Sequence, residues 1–256
     1  MSSQKDSPYH STQKTLSTYP GILVGMALVL AVLDHLFADL NVEGIRWFNL
    51  DRERNLPTWF SGALFTLFGC AAVVAYYWKT KINAQKGLVF RLPMLWLGVA
   101  LAGLMMSLDE ITILHENILW HEVRQTTVSL SNTWIYVTQW QVLYAPAILI
   151  VLGCFVLFFC NRFNSSPTAR RASVAGIGCW VLGLLLEGVR GTFRQMGEVW
   201  YSTEVAVEEV LEMAGAISLL AAIVFYKVDI SLDLTQERRQ KLQLGLGFFT
   251  PRAIKA

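Results

Sequence analysis

The sequence predicts an all-α membrane protein, a polytopic bundle of about six transmembrane helices with both termini in the cytoplasm. Three observations lead there. The chain has 256 residues, of which 54% are hydrophobic and only 16% charged, with a mean hydropathy of +0.43; an ordinary soluble domain is less apolar and carries about a quarter of its residues charged. A bilayer core about 30 Å thick needs roughly 20 apolar residues as helix, and that template fits six times. The lysines and arginines between the apolar stretches fall on one side when six spans are drawn.

The six windows cover about residues 20–38, 59–78, 93–119, 141–160, 173–194 and 205–227. The first follows a Ser/Thr-rich stretch and shows no small-x-small cleavage site, so it reads as a retained anchor rather than a removed signal peptide. The second is entered through GIRWFNLDRERNLPTWF, whose aromatics and paired charges suit an interfacial segment; Asp51, Arg52, Glu53 and Arg54 read as a solvated turn. Windows three and five are the least clean because their second halves carry charge. No internal repeat is visible, so one bundle over 20–228 is expected, between a polar cytoplasmic tail at 1–19 and a cytoplasmic tail at 229–256.

Orientation rests on four basic groups: Lys5 and Lys14; Lys79, Lys81, Lys86 and Arg91; Arg162, Arg170 and Arg171; Arg238, Arg239 and Lys241. The positive-inside rule places all four in the cytoplasm and the protein in the inner membrane. A net charge of +2 with no basic stripe excludes a nucleic-acid partner. The four cysteines, Cys70, Cys154, Cys160 and Cys179, form no C-x-x-C pair and read as buried packing residues.

With that orientation, depth follows from the helical rise of about 1.5 Å per residue. Asp109 lies roughly 24 Å beyond Pro93, so Asp109, Glu110, His115 and Glu116 fall in the outer part of span three. EGVRGTFRQMGE of span five and TEVAVEEVLEMAG of span six reach the same layer, and Asp34, His35 and Asp39 add to it from span one. Angular position groups Glu208, Glu209 and Glu212 within about 100° of arc, with Glu204 at the edge, and puts Glu187, Arg190, Arg194 and Glu198 on one face of span five. Asp109, Thr112 and Glu116 align on span three, while Glu110, Asn117 and His121 form a second stripe.

Charge in lipid costs at least a few kcal/mol per residue, so these faces turn inward, pair, or line a wet cavity. The carboxylates outnumber Arg190 and Arg194, and a divalent cation is the economical way to balance the surplus. Carboxylates and imidazoles from several helices suit Fe, Mn or Zn, which makes Asp109, His115, Glu116, Glu208, Glu209 and Glu212 the candidate ligands. Asp109, Glu110, His115, Glu187 and Arg190 are the candidate catalytic groups, and Arg194, Gln141 and Tyr144 the candidate substrate contacts. The paired E-x-x-H motifs of di-iron bundles are missing, since Thr112 stands three positions before His115. Glu122, Arg124, Glu198 and Glu204 lie beyond the apolar windows and read as a solvated rim, and Trp59, Trp120, Trp134, Trp140 and Trp200 as an interfacial belt.

Three stretches, residues 50–61, SLDEITILHE and EEVLE, carry a resemblance. The chain resembles a group of uncharacterised bacterial six-span integral membrane proteins with an LD-x-E-x-N-x-P-x-W-F-S loop, an SLDE…HE helix and an EE-x-x-E helix, and the resemblance implies architecture only. Transmembrane metal hydrolases of the alkaline ceramidase and adiponectin-receptor type share the plan of a bundle, but this chain has no H-x-x-x-H in its last span. The functional expectation is a metal-dependent enzyme, a hydrolase or oxidoreductase, acting on a lipid or other hydrophobic substrate from the extracytoplasmic side. The rivals are a proton- or cation-coupled carrier and a non-catalytic subunit of a membrane complex.

Overall fold

Six helices carry the architecture of the computed structural model, which describes residues 8–42, 45–51, 55–85, 92–112, 127–129 and 136–247. They are α1 (Pro8–Phe37), α2 (Leu56–Gln85), α3 (Leu95–Thr112, after a 3-10 turn at Leu92–Met94), α4 (Gln139–Arg162), α5 (Pro167–Met196) and α6 (Glu198–Gly247). Two small antiparallel ladders lie between helices: β1 (Asn41–Val42) with β2 (Ile45–Arg46), and β3 (Thr127–Ser129) with β4 (Tyr136–Thr138). Among the described residues, five helices are long and apolar enough to cross a membrane, through Thr18–Phe37, Leu56–Asn83, Leu95–Thr112, Pro167–Met196 and Glu198–Ser231. The window at 141–160 falls on α4, whose described apolar stretch, Pro146–Arg162, is shorter. The helices also run past the windows, since α1 starts at Pro8 and α6 continues to Gly247.

Local chemistry explains the ends. Asn55 precedes α2 and its Oδ1 accepts from the Thr58 amide at 3.2 Å, covering an otherwise orphaned donor. Ser166 does the same for α5, accepting from the Ala169 amide at 3.3 Å with Pro167 opening the helix, and its hydroxyl also bonds Asp229 of α6. Gly197, at φ 118°, makes the turn from α5 into α6 in a conformation that side chains resist.

The helices pair as antiparallel hairpins held by close backbone approach. In α2–α3 a Cβ on Gly103 would stand 2.8 Å from Phe68 Cδ1 and 3.0 Å from the Gly69 nitrogen. In α5–α6 a Cβ on Gly215 would stand 2.3 Å from Trp180 Cδ1, and one on Gly176 would stand 2.9 Å from the Gly215 carbonyl. Small residues at such crossings let main chains approach where no hydrophobic effect drives association. Trp180 then joins the pairs, with ring centroids 6.1 Å from Phe65 and Phe68 and 6.2 Å from Phe155. At one end of the bundle Trp96 meets Phe158 edge-on at 4.9 Å and stacks on Tyr226 at 6.0 Å, tying α3, α4 and α6 together.

The cysteines differ from expectation. Cys70 and Cys154 are exposed, and Cys160 and Cys179 half-buried. A thiol is apolar enough to face hydrocarbon, so an outward position on a spanning helix costs it little.

Candidate functional site: a carboxylate cluster between three helices

The outer turn of α3 is fixed before it presents any charge. Ser107, three residues ahead of Glu110, donates its hydroxyl to the Gly62 carbonyl of α2 at 2.8 Å and lies 2.8 Å from the Thr66 hydroxyl. Ile111 packs on the same glycine, 3.2 Å from where a Cβ would stand. These contacts hold α3 against α2, and Glu110, half-buried, faces α6. On α6 the main chain is set by Trp180, whose indole N–H donates to the Glu212 carbonyl at 3.2 Å, and the Glu212 side chain passes beside Gly183 of α5.

Glu110, Glu209 and Glu212 thereby converge, and one carboxylate oxygen from each lies within 4.8 Å of the others. Beside them stands Arg190 of α5. Its guanidinium bonds Glu208, and its Nε lies 3.5 Å from Glu204 Oε2. The Glu204 side chain is 0% and that of Glu208 5% exposed, whereas Arg190 keeps 26%. Glu187, one turn before Arg190, is within electrostatic reach of both Arg190 and Glu212. Glu187, Glu204, Glu208 and Glu212 thus share the field of the Arg190 guanidinium.

A third group lies at the rim of this cluster. Arg194 sits over the Tyr201 ring at 4.9 Å and donates to its hydroxyl at 3.3 Å, and that hydroxyl donates to Asp51 at 2.8 Å. The loop before α2 is fastened in this way to the start of α6.

The sequence-derived candidates separate accordingly. Glu209 and Glu212 come together as expected, but their α3 partner is Glu110, expected as an acid–base group, rather than its neighbour Asp109. Glu208, expected as a ligand, is held by Arg190. Arg194, expected to hold a head group, binds Tyr201. Glu204 is the correction: read as solvated rim, it is 3% exposed, because α6 begins at Glu198 and the residue is already two turns inside the bundle. Its i, i+4 spacing from Glu208 was the signal that places it on the same face. Asp51, expected in a solvated turn, accepts from the Tyr201 hydroxyl instead, and no local pattern marks a contact across 150 residues. His115, Glu116, His121, Glu122, Arg124, Trp120 and Trp134 lie outside the described residues, as do the side chains of Gln141 and Tyr144. Asp34 serves structure, accepting from the Leu50 amide at 3.0 Å, and Asp39 pairs with Arg46 at 3.6 Å on the surface.

The donor set has a definite chemistry. Three carboxylates are hard, anionic ligands of the kind that suit Mg²⁺, Ca²⁺ and Mn²⁺, and two oxygens on one ion are at most twice the bond length apart, roughly 4–5 Å. A spread within 4.8 Å fits that limit. The imidazole that would favour Fe or Zn rested on His115, which lies outside the described residues.

One family model matches the chain, over residues 21–226, and its description is a domain of unknown function, DUF8692. The chain belongs to the DUF8692 family. The matched segment contains every residue of the carboxylate cluster, so the cluster lies inside the DUF8692 domain rather than in an appended tail. No curated protein and no solved structure matches this DUF8692 member.

Proposed function

We propose that this DUF8692 member is an inner-membrane protein that binds a divalent cation through Glu110, Glu209 and Glu212 at the extracytoplasmic end of its bundle. The loaded site then serves as a metal-dependent catalyst on a lipid or other hydrophobic substrate. The observation that carries the reading is the convergence of three carboxylates from two helices beside Glu208 and Glu204, which already take up the neighbouring arginine. Three converging carboxylates repel one another, and a divalent ion bound between them offsets that repulsion. The bound cation would polarise a carbonyl or phosphoryl oxygen or lower the pKa of a water. The chain's own part is to orient the carboxylates through Trp180 and Ser107 and to keep Glu208 on Arg190. Orientation is supported by charge: Lys79, Lys81, Arg162, Arg170, Arg171 and Lys227 lie at the opposite ends of these helices, as expected of a cytoplasmic face.

Elemental analysis of the purified protein tests the proposal. About one Mn, Ca, Fe or Zn per chain is expected, falling at least fivefold in Glu212→Gln and in Glu110→Gln. Metal-free wild-type protein that also takes up no Mn²⁺ or Ca²⁺ by calorimetry would sink it. A carrier that used the same acids would move Mn²⁺ or H⁺ across liposomes, whereas a site confined to one leaflet moves neither.

A further inference from the structure

The opposite end of the molecule holds features that the carboxylate cluster does not use. A cleft of about 210 Å³ lies between α1 and α6, walled by Leu23 on one side and Ile217, Leu220 and Val224 on the other, and reaching Tyr19 and Phe225. Because α1 and α6 run antiparallel there, Tyr19 and Phe225 mark its mouth at the basic end. From Ile217 to Phe225 the cleft is about 12 Å long at 1.5 Å per residue, close to the roughly 15 Å depth of one leaflet's hydrocarbon. Its walls are apolar, and both helices belong to membrane-crossing stretches.

Charge follows on the same helix, just beyond the basic end of the cleft. Lys227 follows Val224 by three residues and Leu220 by seven, so it continues the stripe of α6 that walls the cleft. Its ammonium sits over the Trp78 ring of α2 at 5.4 Å. Lys81 is one turn beyond Trp78 on α2, which brings a second exposed lysine to the same level. Tyr19, 59% exposed, completes the mouth with a hydroxyl at the depth where interfacial aromatics meet head groups.

We propose that this end of the bundle holds one anionic phospholipid, with an acyl chain in the α1–α6 cleft and its phosphate on Lys227 and Lys81. Lysine binds phosphate as a point charge, and basic pockets between spanning helices select acidic lipids over zwitterionic ones. A zwitterionic head group carries its own ammonium beside the phosphate, which two lysines disfavour. This inference is independent of the metal-site reading, since it uses none of those residues.

The test is a titration of the full-length protein in detergent with phosphatidylglycerol and phosphatidylcholine of identical chains, read by native mass spectrometry. One phosphatidylglycerol per chain is expected to bind at least tenfold more tightly than phosphatidylcholine. The double variant Lys81→Gln/Lys227→Gln brings the two lipids within twofold of each other. Leu23→Trp, filling the cleft, weakens both by at least fivefold, while Ile22→Trp on the lipid-facing side of α1 changes neither. Should Leu23→Trp fail to fold, a six-carbon phosphatidylglycerol reads the same feature in wild-type protein by losing most of the affinity. Equal binding of the two long-chain lipids, or a double variant with undiminished selectivity, overturns the phosphate seat. Glycerol 3-phosphate binding as tightly as the lipid, or Leu23→Trp binding as wild type does, overturns the cleft.

Discussion

At the scale of residues, Arg190 decides whether Glu204 and Glu208 can stay where they are. Both carboxylates are buried and Arg190 is the cation that reaches them, Glu208 through a direct bond and Glu204 at 3.5 Å. Removing one partner of a buried pair leaves a bare charge, at about 3–5 kcal/mol, whereas removing both sides costs far less. Arg190→Gln is therefore expected to lower stability by about 3 kcal/mol in thermal unfolding in detergent. Arg190→Gln combined with Glu204→Gln and Glu208→Gln should regain at least half of that loss. A single variant as stable as wild type would mean that the pair contributes nothing. Individual residues were also where sequence reading reached least far. The arc of Glu208, Glu209 and Glu212 followed from helical spacing, but which of them meets Arg190 and which meets Glu110 depends on how α5 and α3 are rotated. That rotation is set by Trp180, Ser107 and the glycine crossings, none of which advertises its partner in the chain.

Among elements, the antiparallel pair α5–α6 sets the height at which the acidic faces meet. The Cδ1–Nε1 edge of Trp180 meets Gly215 and its N–H donates to the Glu212 carbonyl, so one residue both closes the crossing and fixes the turn that carries Glu212. Gly215→Ala would place a methyl group 2.3 Å from Trp180 Cδ1, a collision that neither main chain can absorb locally. Overpacking of this kind costs about 1–3 kcal/mol. A fall in melting temperature of that size is expected for Gly215→Ala, with partial recovery in Gly215→Ala/Trp180→Leu, where a smaller side chain makes room. An unchanged melting temperature for Gly215→Ala would show that the crossing is looser than drawn. The helices themselves were legible because hydropathy alone selects spanning stretches: each predicted window overlaps a helix, five of them long and apolar enough to cross a membrane, and the end of the third window, 113–119, lies outside the described residues. Their ends were less so: Glu204 was misplaced because a hydropathy window opens at the first apolar run, while α6 opens at Glu198, about two turns earlier.

For the molecule as a whole, the distribution of charge makes the two ends chemically distinct, with glutamates gathered around Arg190 at one and Lys79, Lys81, Arg162, Arg170, Arg171 and Lys227 at the other. A membrane orientation follows that labelling can read. On a background lacking the four native cysteines, an impermeant thiol reagent applied to intact cells is expected to modify Glu198→Cys and to leave Arg170→Cys untouched until the cells are opened. Both positions are exposed, so the contrast reports sidedness rather than burial. The reverse pattern would place the carboxylate cluster in the cytoplasm. Helix α6 runs without interruption for 50 residues, about 75 Å, and its last part, 232–247, is largely polar in sequence. A helical bundle of this size offers an electron microscope few landmarks for alignment. The projecting end of α6 supplies one: a helical partner fused in phase after Gly247 would inherit its direction, and so turn a small embedded bundle into a particle whose orientation can be found image by image.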